Sequence, residues 1–431
     1  MNKPCFASPW EGSARVAPPA VRAGVFLVAF ALSGAAAATP LRPFPQHTSY
    51  AAGTIRPAHL SQAQQDDDVR AYYDAWKADF LIAAGTDGAG QPLFRISLGS
   101  AAPDVTVSEG QGYGMMIVAH LAGYDPDAQQ IFDGLWRFSR EHPSDIDGRL
   151  MAWRVPPDPA GNDSAFDGDA DIAYGLLLAA AQWGNEGPID YATDAATVLA
   201  GLLESTIGPE SDLPLLGDWV DPDGSRYSQW TTRSSDFMPG HFRAFARASS
   251  ETRWSQVIAA VQTSVTQLQA KQSRQSGLLP DFLRLAGRRT RTAKPAPPYF
   301  LEGPFDGAFY YNAGRAPWRL GVDALISGDP VSAAQVQKMS RFAATTAGGD
   351  PLALRAGYRL NGKPLPETDY FTIFFAAPLG VAAMADPAAG AWLEAIYDQV
   401  RTRHEDYFED SIALLSLLVL TGNWFDPTLP Q

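Results

Sequence analysis

The sequence predicts an all-α protein, a closed toroid of six antiparallel helix pairs. Three observations lead there. Apolar residues recur at helical spacing in about twelve segments. Strand-like alternation is scarce and short. Long loops rich in glycine, proline, aromatic and acidic residues occupy 145–161, 217–238 and 277–312. An open superhelical solenoid also accommodates six helix pairs. The loops favour the toroid, which gathers one set of them around a mouth where a cleft can form, and long loops of this kind carry function.

The chain has 431 residues, 19% charged and 46% hydrophobic, with a formal charge of −14. That composition is globular. Its acidity excludes nucleic acid as the expected partner, since phosphate backbones select basic surfaces. Residues 1–38 read as an export signal: Lys3, Arg15 and Arg22 precede an apolar run, Gly24 to Leu32, and the small residues Ser33 to Ala38. The run is short for a membrane span, and Ala35 stands where a lipoprotein would carry its lipidated cysteine. The expected product is secreted or periplasmic, monomeric and free of the membrane after cleavage. Cleavage also removes Cys5, the only cysteine, so no disulfide, thiolate nucleophile or cysteine metal site is expected.

Residues 39–61, rich in Pro, Ala and Thr, form an extended lead-in, and 62–431 reads as one domain. The first helix is expected over 71–83, where Tyr72, Trp76, Phe80 and Leu81 share a face. The others are expected over 109–122, 128–140, 169–183, 192–207, 239–248, 251–272, 315–326, 331–344, 371–383, 388–401 and 406–420.

Three segments stand out chemically. In Ser108-Glu109-Gly110-Gln111-Gly112-Tyr113-Gly114, Ser108 is the expected N-cap and Glu109 lies in the first turn. The three glycines each cost a helix about 1 kcal/mol, which suits a backbone approached closely by a ligand or another helix. Glu109 could equally serve only to complement the helix dipole. In the second segment, Asp167, Asp169 and Asp171 alternate before an apolar helix, more acids than capping needs. A calcium loop would continue to a bidentate glutamate at its twelfth position, and this chain does not. Six histidines with no His-x-x-x-His pair give no reason to expect zinc. No metal or other cofactor is expected. The third segment runs through Glu302, Asp306, Tyr310-Tyr311-Asn312, Arg315 and Trp318-Arg319. Such a mixture stacks on sugar rings and hydrogen-bonds their hydroxyls. Trp318 and Arg319 fit a buried aromatic anchor and a structural arginine–carboxylate pair instead.

From about the first helix to Trp424, the chain resembles glycoside hydrolase family 8. The most specific piece is Ala165-Phe166-Asp167-Gly168-Asp169-Ala170-Asp171-Ile172-Ala173, in which Phe166 replaces the usual Ser or Thr. Ser108 to Met116 resembles the general-acid segment, Leu150 to Trp153 a segment lining the sugar cleft, and Tyr311 to Arg319 a segment often reading Tyr-Asp-Ala-x-Arg-x-Pro. The resemblance implies an (α/α)6 barrel and hydrolysis of a β-1,4-linked glycan with inversion. It places the general acid at Glu109 and the contact to the central sugar ring at Asp167. The usual base is missing, because position 312 is Asn. One branch of the family, which includes chitosanases, lichenases and cellulases, shares this replacement and supplies a glutamate from the preceding loop, which assigns the base to Glu302. Asp306 precedes Gly307 and suits a turn. Further expected substrate contacts are Trp153, Asp169, Trp219, Tyr311, Asn312 and Tyr370, with Arg315 orienting carboxylates.

Inversion requires an acid and an ionised base about 6.5–9.5 Å apart with a water between them. Glu109 would be kept protonated by burial and neighbouring carboxylates. Glu302, in a more open loop, would stay ionised. The expected substrate is a cellulose-like or mixed-linkage β-glucan. The alternatives are a chitosanase of the same mechanism, a glycan-binding protein that has lost its base at Asn312, and a sugar epimerase on a similar toroid, which should show catalytic histidines.

Overall fold

The computed structural model describes residues 38–158, 161–287 and 291–430. All of the expected export signal except Ala38 lies outside them. In chain order the elements are α1 (Gln62–Phe80), β1 (Leu81–Thr86), β2 (Pro92–Ile96), β3 (Thr106–Val107), α2 (Ser108–His120), α3 (Ala128–Glu141), β4 (Arg154–Val155), α4 (Phe166–Trp183), α5 (Tyr191–Ser205), β5 (Thr231–Arg233), α6 (Pro239–Ser249), α7 (Arg253–Lys271), β6 (Phe282–Ala286), β7 (Thr292–Pro295), α8 (Ala316–Ser327), α9 (Pro330–Thr346), α10 (Ile373–Ala383), α11 (Gly390–Val400) and α12 (Tyr407–Leu420).

The even-numbered helices form a closed inner ring. Each of α2, α4, α6, α8, α10 and α12 packs on the next, and α12 returns to α2. The odd-numbered helices lie outside, α3 on α2, α5 on α4 and so on, with α1 closing against α12. This is the toroid expected from the sequence, an (α/α)6 barrel. Most inner helices are covered on both sides: every residue of α10 and α12 is buried, whereas α6 leaves Arg247 and Ala248 exposed. Outer helices bury one stripe, such as Trp254, Val257, Ile258, Val261, Val265 and Leu268 of α7.

The glycines of α2 serve this packing. A Cβ on Gly112 would stand 2.6 Å from Asp171 Cβ and 3.0 Å from the Gly168 carbonyl, and one on Gly114 would stand 2.7 Å from Ile96 Cγ1. What approaches that backbone is protein, α4 at Gly112 and β2 at Gly114. Gly112→Ala is therefore expected to force α2 from α4, an overpacking cost of about 1–3 kcal/mol, read as a lower Tm. An unchanged Tm would refute this account of the crossing.

Several boundaries differ from expectation. α1 begins nine residues early because Ser61 and Gln64 form a capping box, and the polar run that follows hides the apolar spacing. Its expected end is instead β1, paired antiparallel with β2. Ser108 is not an N-cap. It is the first residue of α2, Val107 holds the cap position, and no side chain caps that end. α4 likewise starts at Phe166, so its three aspartates lie inside the helix. The long loops carry short sheets: β3 pairs with β4, and β5–β6–β7 form an antiparallel sheet. Beside that sheet a satellite apolar cluster gathers Leu215, Leu216, Val220, Phe282, Ala296 and Phe300.

Residues 38–61 have neither helix nor strand and cross one end of the barrel. Their N–H groups donate to carbonyls at or just past the C-terminal ends of five inner helices: Leu41 to Gln182, Phe44 to Ala122, Thr48 to Gly422, Ala51 to Leu325 and Ile55 to Met384, all at 2.7–2.9 Å. Carbonyls at such ends lack intrahelical partners, and this strap supplies them. The opposite end of the ring, where the inner helices begin, is left to the loops.

Candidate active site

Carboxylates and arginines meet where the inner helices start. Glu109 comes from the first turn of α2, Asp167 from the first turn of α4, and Arg315 from the turn that opens α8. Arg315 is the hub. Its Nη1 donates to Glu109 Oε2 at 2.5 Å, to Asp167 Oδ2 at 2.9 Å and to the Tyr113 hydroxyl at 3.1 Å. Its Nη2 donates to Ser235 Oγ at 3.0 Å and Asn312 Oδ1 at 2.9 Å. Asn312 Nδ2 in turn donates to Glu302 Oε2 at 2.7 Å. One guanidinium and one amide thus lie between the carboxyls of Glu109 and Glu302. Arg233, at the end of β5, donates to Asp167 Oδ2 at 3.1 Å.

Gly110 lets α12 approach. A Cβ there would stand 2.6 Å from the Tyr407 hydroxyl, which donates to Glu109 Oε1 at 3.2 Å. The loop bearing Glu302 is built by Asp306. Its carboxylate accepts the backbone N–H of Leu301, Glu302 and Gly303 at 2.7, 3.0 and 2.8 Å. The loop is tied to β6 by Phe282 N–H donating to the Asp306 carbonyl at 2.8 Å.

The environments push the acids apart. Burial raises Glu109 to about 7, against the pull of Arg315 and with help from Asp167. Burial also opposes ionisation of Asp167, but Arg233 and Arg315 outweigh it and hold that carboxyl at about 2. Glu302 departs from expectation. It is half-buried, not in an open loop, and burial raises it against Arg233 and the Asn312 amide. Asp236 and Asp281, both buried, are raised by burial to about 7 and about 8.

The other expected contacts divide. Asp169 is corrected: it is 1% exposed, and its Oδ1 accepts the Met151 N–H at 2.8 Å. It anchors the segment that carries Trp153 and lies outside the arginine network that holds Asp167 beside Glu109. Asn312 is buried with both amide atoms engaged, so it too belongs to the scaffold of the site. Trp153 is half-buried, and its carbonyl accepts the Ser108 N–H at 2.9 Å. Trp219 is half-buried and packs edge-on against Tyr227 in the satellite cluster. Tyr311 has one face stacked on Phe374 at 5.2 Å, and its hydroxyl lies 3.1 Å from that of Tyr370, which is exposed. Trp318 and Arg319 are structural, as expected: Arg319 clamps Asp171 with both terminal nitrogens, and both residues are buried.

Sequence reasoning missed Tyr113, Arg233, Ser235, Asp236, Asp281 and Tyr407. Tyr113 was within reach, four residues beyond Glu109 on one helix face. The others come from loops or distant helices. Among the described residues, no three His, Cys, Asp or Glu side chains are grouped to hold a metal ion. No described helix is long and apolar enough to cross a membrane.

A family model described as glycosyl hydrolases family 8 matches residues 43–422. The chain is 38% identical to a beta-glucanase of Niallia circulans, over 90% of this chain and 92% of that protein. It is 35% identical to an endoglucanase of Bacillus sp. (strain KSM-330), over 91% and 83%. The apo structure of a beta-1,3-1,4-glucanase from Paenibacillus sp. X4 superposes with a TM-score of 0.84 at 38% identity, covering 90% of this chain and all of that one.

Proposed function

The chain belongs to glycosyl hydrolases family 8 and is a glycoside hydrolase of endo-glucanase type, and on that premise we propose that it cleaves internal β-1,4 bonds of a cellulose-like or mixed-linkage β-glucan with inversion. Glu109 protonates the leaving oxygen, and Glu302 takes a proton from the attacking water. Asp167 hydrogen-bonds the distorted ring. The observation that carries this reading is the path Glu109–Arg315–Asn312–Glu302, which ties two carboxyls together in one site, one bonded to a guanidinium and the other to an amide donor. A general acid must be protonated near working pH, and burial puts Glu109 there, at about 7. Asp306 is a poorer base, because three backbone N–H groups occupy its carboxylate. The names of the beta-glucanase and beta-1,3-1,4-glucanase relatives support the same substrate class.

Reducing-sugar release is expected from lichenan and carboxymethyl-cellulose, and little from chitosan. Chitosan as the preferred substrate would replace the glucan assignment with a chitosanase of the same mechanism. Stereochemistry tests the pair directly. A β-linked glucan should release the α-anomer first, seen by proton NMR in the first minutes. Initial β-anomer would mean a covalent intermediate and a different pair. Export with cleavage after Ala38 to give a monomer is part of the proposal. It rests on the basic leader and apolar run of residues 1–38, and N-terminal sequencing of the mature protein checks it.

A further inference from the structure

The amide of Asn312 stands where the resembling family segment carries its base, and the structure gives it a use. We propose that Asn312 is the positioning residue of the base, holding the Glu302 carboxylate in the orientation that receives the proton of water and coupling it to Arg315 and so to Glu109. The inference rests on the assignment of Glu302 as base.

An amide has fixed polarity, one acceptor and one donor group. The acceptor, Oδ1, is taken by Arg315 Nη2 at 2.9 Å, which leaves Nδ2 to face Glu302 Oε2 at 2.7 Å. Arg315 therefore sets which way the amide points, and the amide presents a donor to the base. A carboxylate at position 312 would present only lone pairs to Glu302. Asn312 is itself held from behind. Asp281, 3% exposed, accepts the backbone N–H of Tyr310 at 3.0 Å and of Ala313 at 2.7 Å with one oxygen, fixing the turn on either side of Asn312. Asp281 is fixed in turn, its own N–H donating to the Ala308 carbonyl and its carbonyl accepting from Ser234. The turn, the amide and the base thus form one braced unit.

The titratable groups facing Glu302 are Arg233 from β5, Arg315 from the turn before α8, Asp306 from its own loop and Asp281 beneath the turn. Burial and Asp306 oppose the ionised carboxylate, the arginines and the Asn312 donor favour it, and Asp281, raised to about 8, keeps its proton. Removing the donor therefore makes Glu302 hold its proton to higher pH. The acidic limb of the kcat/KM profile, where the base protonates, must then move upward.

Asn312→Ala is expected to lower kcat about tenfold to a hundredfold, the loss for one hydrogen bond to a charged group, with KM little changed and the acidic limb displaced to higher pH. Asn312→Ser, which leaves Arg315 a hydroxyl but is too short to reach Glu302, should show the same displacement and carries the test if the alanine variant does not fold. A uniform loss at every pH with an unmoved acidic limb, or near-normal kcat, overturns the inference. If Glu302→Ala is inactive while the acidic limb of the Asn312 variants stays in place, only this inference fails. If Glu302→Ala remains active, the base assignment fails first.

Discussion

Glu109→Gln is expected to remove nearly all turnover on an unactivated glucan while leaving the fold intact. Glutamine keeps the shape of the side chain but has no acidic proton to give the leaving oxygen. General acid–base groups contribute about 10²–10⁴-fold, and kcat should fall by that much. Oligosaccharide binding, measured by calorimetry, should survive, because the acid is one contact among many. The wild-type pH profile carries the same assignment. A general acid must carry its proton, and burial raises Glu109 to about 7, so on this assignment the basic limb of kcat/KM should fall near pH 7, above the ordinary carboxyl range. Arg315 pulls the other way, so a variant that loses its charge should move that limb to still higher pH. Near-normal turnover of Glu109→Gln on cellulose or lichenan would end the assignment.

Glu302→Ala is expected to cost at least about 10²-fold in kcat, the lower bound for a general base. Azide should restore activity by entering the vacated space as a small nucleophile, with initial formation of the α-glycosyl azide. It should not restore Asp167→Ala in the same way, because that loss unpairs Arg233, leaves Arg315 to Glu109 alone and opens no path for a nucleophile. Asn312→Asp alone should not raise activity while Glu302 is present. Combined with Glu302→Ala, it should recover part of the loss, since a carboxylate then stands at the commoner family position. If Glu302→Ala keeps more than about a tenth of wild-type kcat, against the 10²-fold expected of a base, Glu302 is not the base and Asp306 is next to test.

Periodicity carried the twelve helices and their pairing, because each helix repeats its signal over several turns. Ends were less legible. The capping box at Ser61 is a local signal that was present and overlooked, whereas Ser108 looked like a cap and was already helix. β1 and β2 were missed because each is short and only half-buried. At the site, Glu109, Asp167, Glu302, Asn312 and Arg315 converge because three acidic segments all sit near the starts of inner helices. The error at Asp169 is one of direction. On a helix, residues two apart do not share a face, so Asp167 and Asp169 point apart although they look equivalent in the chain. Arg233, Asp236 and Tyr407 had no legible signal, since what places them beside Glu109 is ring closure between segments up to 298 positions apart.

The strap across the far end of the barrel has a consequence in time. Gln46 donates its backbone N–H to Asn423, 377 positions away, and Thr48 to Gly422. The strap is made before all of these partners, and at synthesis rates of about 5–20 residues per second it waits roughly 20–75 s for the last of them. Its bonds to the ends of α2 and α4 can form well before those to the end of α12, so the 46–48 stretch is the part that waits. Complete docking of the strap is thus a report that the last helix has arrived.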